Sequence, residues 1–139
     1  MFILDTHVVS ELRKISVGIA HPNVALWADS VNASSLYLSV ITLLEIELGI
    51  LQLERRDPRQ GAVLSRWLEA SVLPEFEGRI LPFDTLVAQR CASLHVPGRR
   101  AERDAMIAAT ALVHGLTVVT RNQSDFQSTG VPLLNPWDF

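Results

Sequence analysis

The chain predicts an α/β domain in which a central parallel sheet is wrapped on both faces by helices. Three observations carry this expectation. Short apolar runs alternate with longer stretches of helical periodicity along all 139 residues, without a repeat or a low-complexity segment. A hydrophobic content of 48% with only 19% charged residues suits a well-formed core and excludes disorder. Acidic residues also recur at the ends of the strand-like runs and near the starts of helices, the edge of a parallel sheet where ligands bind.

The elements follow in order. Phe2 to Leu4 reads as a short buried strand, followed by a helix from His7 to about Lys14. A turn at His21-Pro22-Asn23 precedes a helix carrying Val24, Trp27, Ala28 and Val31 at helical spacing. Leu36 to Val40 reads as the second strand. The next helix is expected from about Leu43 to Leu53, stopped by Arg55-Arg56-Asp57-Pro58. Val63, Leu64, Trp67 and Leu68 mark an amphipathic helix ending near Leu73-Pro74. Arg79 to Leu81 is a brief extended segment broken by Pro82. Asp84 then caps a helix with Leu86, Val87, Cys91 and Leu94 on its apolar face. His95 to Gly98 form a loop, and a helix beginning near Asp104 ends at His114-Gly115. Leu116 to Thr120 and Val131 to Leu134 complete the strands.

Several function classes are excluded or disfavoured by composition. The length suits one domain spanning residues 1–139. Cys91 is the sole cysteine, so no intrachain disulfide can form and a thiolate zinc site is not expected. His7, His21, His95 and His114 have no metal-ligand spacing. No signal peptide is expected, because Asp5 interrupts the N-terminal apolar stretch, and the uncharged run from Ser30 to Leu44 is too short and polar to span a bilayer. The expectation is a soluble cytoplasmic protein with no membrane contact. Net charge is −3, which does not advertise nucleic-acid binding, although eleven arginines accompany the single Lys14. Arginine contacts phosphates in bidentate fashion and stacks on bases.

Four acids form the candidate site. Asp5 closes the first strand, Glu45 opens the helix after the second, Asp104 opens the run Ala105-Met106-Ile107-Ala108-Ala109, and Asp125 follows the strand ending at Val119. Gathered on one sheet edge they would repel one another unless a cation lay between them, and hard carboxylate ligands suit Mg²⁺ or Mn²⁺. Structural readings compete. Thr42-Leu43-Leu44-Glu45 matches a capping box, with Ile41 and Ile46 as its hydrophobic staple. Against this, Gly49 lies one turn beyond Glu45 on the same face and leaves it bare. Asp104 matches an ordinary N-cap, and Asp125 a residue bonded within its own loop. A charge directly after a buried strand, as at Asp5, is costly unless paired, solvated or bound to a cation.

Four stretches in register resemble the PIN domain. Leu4 to Glu11 resembles its opening strand and turn, Ile41 to Gly49 carries its second acid, Asp104 to Ala111 its third, and Thr120 to Phe126 its fourth. Their order and spacing resemble those of VapC-type toxins of bacterial toxin–antitoxin pairs. Gly78 to Asp84 and the ending Asn135-Pro136-Trp137 resemble the FitB-like branch. The resemblance implies a PIN-like three-layer α/β/α fold and a metal-dependent endoribonuclease. Asp5, Glu45, Asp104 and Asp125 would hold Mg²⁺ or Mn²⁺, and a metal-activated water would attack the phosphodiester in line. Thr6 and Thr120 would position that water or a carboxylate through their hydroxyls. The family usually carries Asn where this chain has His7. In the FitB-like branch the last acid can stand at the position of Asn122, which makes Asn122 a further candidate metal ligand.

The implied partners are an RNA substrate, a cognate antitoxin of the VapB or FitA type, and a second copy of the chain. Promoter DNA would be contacted only through the antitoxin. For the homodimer, Val24, Trp27, Val31, Leu64, Trp67 and Leu68 are expected to leave apolar area for a self-complementary contact. Two other readings stay open: a PIN nuclease of RNA processing without a toxin role, and a catalytically inactive PIN binding module. A haloacid-dehalogenase-type phosphatase would need a second Asp where His7 stands, and a receiver domain would need a later lysine than Lys14.

Overall fold

The computed structural model describes residues 1–139. Five strands, β1 (Phe2–Leu4), β2 (Leu36–Ser39), β3 (Ile80–Leu81), β4 (Thr117–Val119) and β5 (Leu133–Leu134), form one parallel sheet in the order β3-β2-β1-β4-β5. Phe2 pairs with Leu36 on one side and Thr117 on the other. The chain steps outward from β1 through β2 to β3, then returns to place β4 and β5 on the far side. The strand order therefore reverses beside β1, and a crevice opens there at the carboxyl ends of the strands.

Seven helices cover the two faces: α1 (Thr6–Arg13), α2 (Pro22–Ser30), α3 (Val40–Arg56), α4 (Pro58–Trp67), α5 (Leu73–Glu75), α6 (Thr85–Leu94) and α7 (Glu102–His114). Successive strand residues point to opposite faces, and the central strands β1, β2 and β4 are covered on both, so they are mostly apolar rather than alternating. Ile3 and Val118 join Val87, Cys91, Ile107 and Ala108 in the core under α6 and α7. Leu4, Leu38 and Val119 join Val8, Trp27, Ile46 and Leu68 in the opposite core. Gly115 ends α7 in the left-handed conformation (φ 68°), which glycine adopts without a Cβ clash.

Several element boundaries differ from the sequence expectation, each for a physical reason. Helix α3 begins at Val40, not near Leu43, because the Ser39 hydroxyl accepts the Ile41 N–H (2.9 Å) and caps it earlier. Glu45 thus lies in the second turn and forms no capping box. The Thr42 hydroxyl donates instead to the Leu4 carbonyl (3.4 Å). Ile41 and Ile46 belong to different cores, so they form no staple. The helix also passes Leu53 and reaches Arg56; Asp57 then accepts the Gln60 N–H and starts α4. Helix α7 begins at Glu102 with Ala101 at its cap position, which puts Asp104 inside the first turn and rules out the N-cap reading.

The apolar faces of two helices also need correction. Val63 and Leu86 are exposed, while Asp84 does cap α6 by accepting the Val87 N–H (3.0 Å). After Trp67 the chain makes one π turn (Leu68–Val72) and passes Pro74 to end at Glu75, a little beyond the expected stop. Val24, Trp27 and Leu68 are wholly buried within the chain, and Val31, Leu64 and Trp67 pack against its core. Val24, Trp27 and Leu68 therefore supply no free area for a contact between copies, whereas Val31, Leu64 and Trp67 stay partly exposed. No helix is long and apolar enough to cross a membrane.

Candidate active site

Asp5 stands where the strand order reverses. Its backbone N–H extends the ladder to the Val119 carbonyl (2.9 Å), and its side chain caps α1 by accepting the Thr6 N–H (2.8 Å). The second carboxylate oxygen accepts the Thr120 hydroxyl (2.9 Å) from the end of β4. Asp5 is buried, and desolvation raises its pKa against the opposing effect of those two hydrogen bonds. Position and hydrogen bonding both follow from the fold: β1 and β4 are neighbours, so residues 5 and 120 meet across the crevice.

Helix α3 brings the second acid. The Thr6 hydroxyl donates to Glu45 (2.7 Å), and the other Glu45 oxygen lies 3.5 Å from the Arg103 guanidinium. Thr6 and Thr120 thus brace two carboxylates, Thr120 itself being fully buried. Asp104 projects from the first turn of α7, and Asp125 ends a short 3₁₀ turn (Gln123–Asp125) after β4. The turn starts at Asn122, whose N–H donates to the Thr120 hydroxyl (3.1 Å).

One cleft of about 380 Å³ is lined by Asp5, Glu45, Asp104 and Asp125 together with Thr6 and Asn122. Thr120 does not line it and acts through Asp5. His7, Leu48, Gly49, Gln52 and Arg103 complete the wall. The sequence had singled out Gly49 for its bare face. A Cβ at Gly49 would meet nothing within 4 Å, so packing within the chain does not demand glycine there. Gln52 could have been found by helical spacing, since it lies two turns beyond Glu45. Arg103 gave no signal in the sequence, because its ion pair with Glu45 joins two separate helices.

The electrostatics of the cleft are those of crowded anions. Asp104 lies in the first turn of a helix, where the macrodipole favours a negative carboxylate. Its pKa is nonetheless pushed up to about 6, first by burial and then by the charges of Asp5, Asp125 and Glu45. Burial and the neighbouring acids together disfavour the ionised form, and a divalent cation would relieve the repulsion among them. The donor chemistry fits Mg²⁺ or Mn²⁺: carboxylate oxygens, a neutral Asn122 and no sulfur. As the side chains stand, no three of them close into a ready-made ligand cage. Hydrogen bonds from Thr6 and Thr120 and the Arg103 ion pair hold Asp5 and Glu45 in their present orientations.

Comparison with known proteins agrees with this architecture. The PIN domain family model matches residues 2–131. The chain is 40% identical to "Toxin FitB" of Neisseria gonorrhoeae and 37% identical to "VapC ribonuclease Y4jK" of Sinorhizobium fredii, each match covering 99% of both proteins. It superposes on the crystal structure of FitAcB from Neisseria gonorrhoeae with a TM-score of 0.89, at 39% identity over the full length of both chains. With its reversed-order parallel sheet and near-complete alignment to these relatives, the chain belongs to the PIN-domain family, among the VapC and FitB toxin ribonucleases.

Proposed function

We propose that this chain, acting as a single domain, is a Mg²⁺- or Mn²⁺-dependent endoribonuclease and the toxin of a toxin–antitoxin pair. The observation that carries the reading is the convergence of Asp5, Glu45, Asp104 and Asp125 on one cleft at the crevice of the sheet. Asp5, Glu45, Asp104 and Asp125 would hold the cation, with Asn122 able to add a neutral oxygen. A bound divalent ion supplies an acidified water and neutralises charge on the reacting phosphate. The chain's own residues orient the ligands. Thr120 fixes Asp5 from below, Thr6 joins Asp5 to Glu45, and Arg103 is free to leave Glu45 for a phosphate oxygen, because its ion pair is half exposed. No side chain is required as a covalent nucleophile.

RNA is the substrate in this reading, and an antitoxin of the VapB or FitA type is the inhibitor. An acidic cleft on a chain of net charge −3 suits a basic inhibitory segment, whose Arg or Lys would take the place of the metal. The same net charge leaves promoter DNA to the antitoxin. The protein would work in the cytoplasm and as a homodimer, a state supported by the family resemblance and by the partly exposed Val31, Leu64 and Trp67.

The decisive experiment incubates purified protein with total cellular RNA, with Mg²⁺ and with EDTA in its place. Cleavage confined to the Mg²⁺ sample is expected, and metal-independent cleavage or none would defeat the reading. Expression alone should arrest growth, and co-expression of the neighbouring antitoxin should restore it. Harmless expression of active enzyme would remove the toxin role but not the nuclease. Sedimentation should give about twice the 15.4 kDa chain mass.

A further inference from the structure

A second recess of about 400 Å³ adjoins the acidic cleft and shares His7 and Asn122 with it. Its chemistry is of the opposite kind. Lys14 and Arg121 bring cations, Ser10 a hydroxyl and Trp137 an aromatic face. Its one acid, Glu11, is committed: it accepts the His21 N–H (2.7 Å) and pairs with Lys14 (3.2 Å). Arg121 is exposed, makes no ion pair, and lies with its guanidinium 5.1 Å from the centre of the Trp137 ring. Trp137 is itself fixed. Its backbone N–H donates to the Asn135 side chain (3.0 Å), its backbone carbonyl accepts the Asn23 side-chain amide (2.6 Å), and the ring packs partly on the core.

We propose that this recess is the subsite for the nucleotide next to the scissile phosphate of single-stranded RNA. The inference rests on the nuclease reading of the neighbouring cleft. An exposed guanidinium beside an indole has surface left for a base and N–H groups left for a phosphate. Arginine planes and aromatic rings are the surfaces on which unpaired RNA bases stack. The acidic cleft itself presents four carboxylates and one arginine, Arg103, and no aromatic ring on which a base could stack. A cationic stacking platform directly beside the acids gives the strand a foothold from which its next phosphate reaches them. Because the Trp137 backbone is hydrogen-bonded and its ring packs partly on the core, little conformational freedom is lost on binding.

The test measures binding apart from chemistry. Asp5→Asn protein with Mg²⁺ is titrated into a fluorescein-labelled pool of heterogeneous single-stranded RNA, and anisotropy gives Kd at several salt concentrations. Adding Arg121→Ala should weaken binding about tenfold and flatten the log–log salt slope by roughly 0.7 for the lost phosphate contact. Arg121→Lys should keep the salt slope but lose affinity, since charge survives and the stacking plane does not. Arg55→Ala, at the far end of α3, should change Kd less than twofold. In otherwise wild-type protein, Arg121→Ala should raise KM and leave kcat within a few-fold. Equal losses for Arg55→Ala and Arg121→Ala, an unchanged Kd for Arg121→Ala, or a parent that binds no RNA would each overturn the subsite. A wild-type protein that cleaves nothing, while its RNA binding still depends on Arg121, would instead remove the nuclease reading and leave the recess as an RNA-binding site only.

Discussion

Replacing Asp104 by Asn tests the electrostatic account of the cleft without touching its packing. The two side chains are nearly isosteric, so the change removes a charge and little else. In metal-free protein the Asp104 carboxyl is raised from 3.8 to about 6 by burial and by Asp5, Asp125 and Glu45. Taken whole, a shift of about two units corresponds to about 3 kcal/mol of penalty on the ionised form. The group is only half shielded from water, so screening reduces this to about 1 kcal/mol. In EDTA at about pH 7.5, Asp104→Asn should therefore melt about 3 °C above wild type.

The sign of the pH dependence follows from the same shift. A carboxyl whose folded pKa lies above its unfolded one carries no penalty below about pH 3.8, and its full penalty appears as pH rises through about 6. The wild type should therefore gain on the variant as pH falls from about 7.5 to 4.5, and the two Tm values should converge. Taking the difference between the proteins cancels the titration of groups they share, including Glu11, whose pKa is lowered chiefly by the His21 N–H. Added Mg²⁺ should raise the wild-type Tm by mass action and raise that of Asp104→Asn less. A variant that melts below wild type in EDTA at neutral pH, or responds equally to Mg²⁺, would refute the reasoning.

Other substitutions probe the remaining parts of the site. Asp5→Asn keeps an acceptor for the Thr6 N–H and should fold as wild type, yet lose cleavage; retention of the wild-type rate in an RNase assay would sink its assignment. Thr120→Val leaves a buried Asp5 oxygen without its donor, which should lower stability by about 1–3 kcal/mol in denaturant titration. Losing that hydrogen bond also raises the Asp5 pKa further, so the acid limb of the pH–rate profile should move to higher pH; an unmoved limb would show that Thr120 does not tune Asp5. Gly49→Ala should stabilise α3 by about 0.5–1 kcal/mol and still reduce cleavage, because nothing in the fold needs glycine there. Gly61→Ala should do the reverse, lowering stability by about 1–3 kcal/mol, since its Cβ would fall 2.8 Å from the Glu54 Cα where α3 and α4 touch.

Local sequence accounts for much of this molecule. Apolar runs flanked by turn residues located β1, β2 and β4, because a strand buried on both faces needs an unbroken apolar stretch. Asp84 and Gly115 punctuate α6 and α7 through hydrogen bonding and backbone freedom that depend on nearest neighbours alone. The four acids could be picked out because a charge at a strand end or helix start is conspicuous on its own. What periodicity cannot encode is which distant groups meet. Thr120 reaches Asp5 across 115 residues, and Thr6 reaches Glu45 across 39, only because the sheet sets β4 beside β1 and brings α3 over its edge. The start of α3 was settled by competition between two hydroxyls, Ser39 and Thr42, and the packed Leu4 carbonyl claimed the second. Val24, Trp27 and Leu68 are equally apolar in an interface or a core; the opposing helices and sheet decided that they are core. The raised pKa of Asp104 and the approach of Arg121 to the Trp137 ring are likewise properties of separation in space, which only the assembled fold specifies.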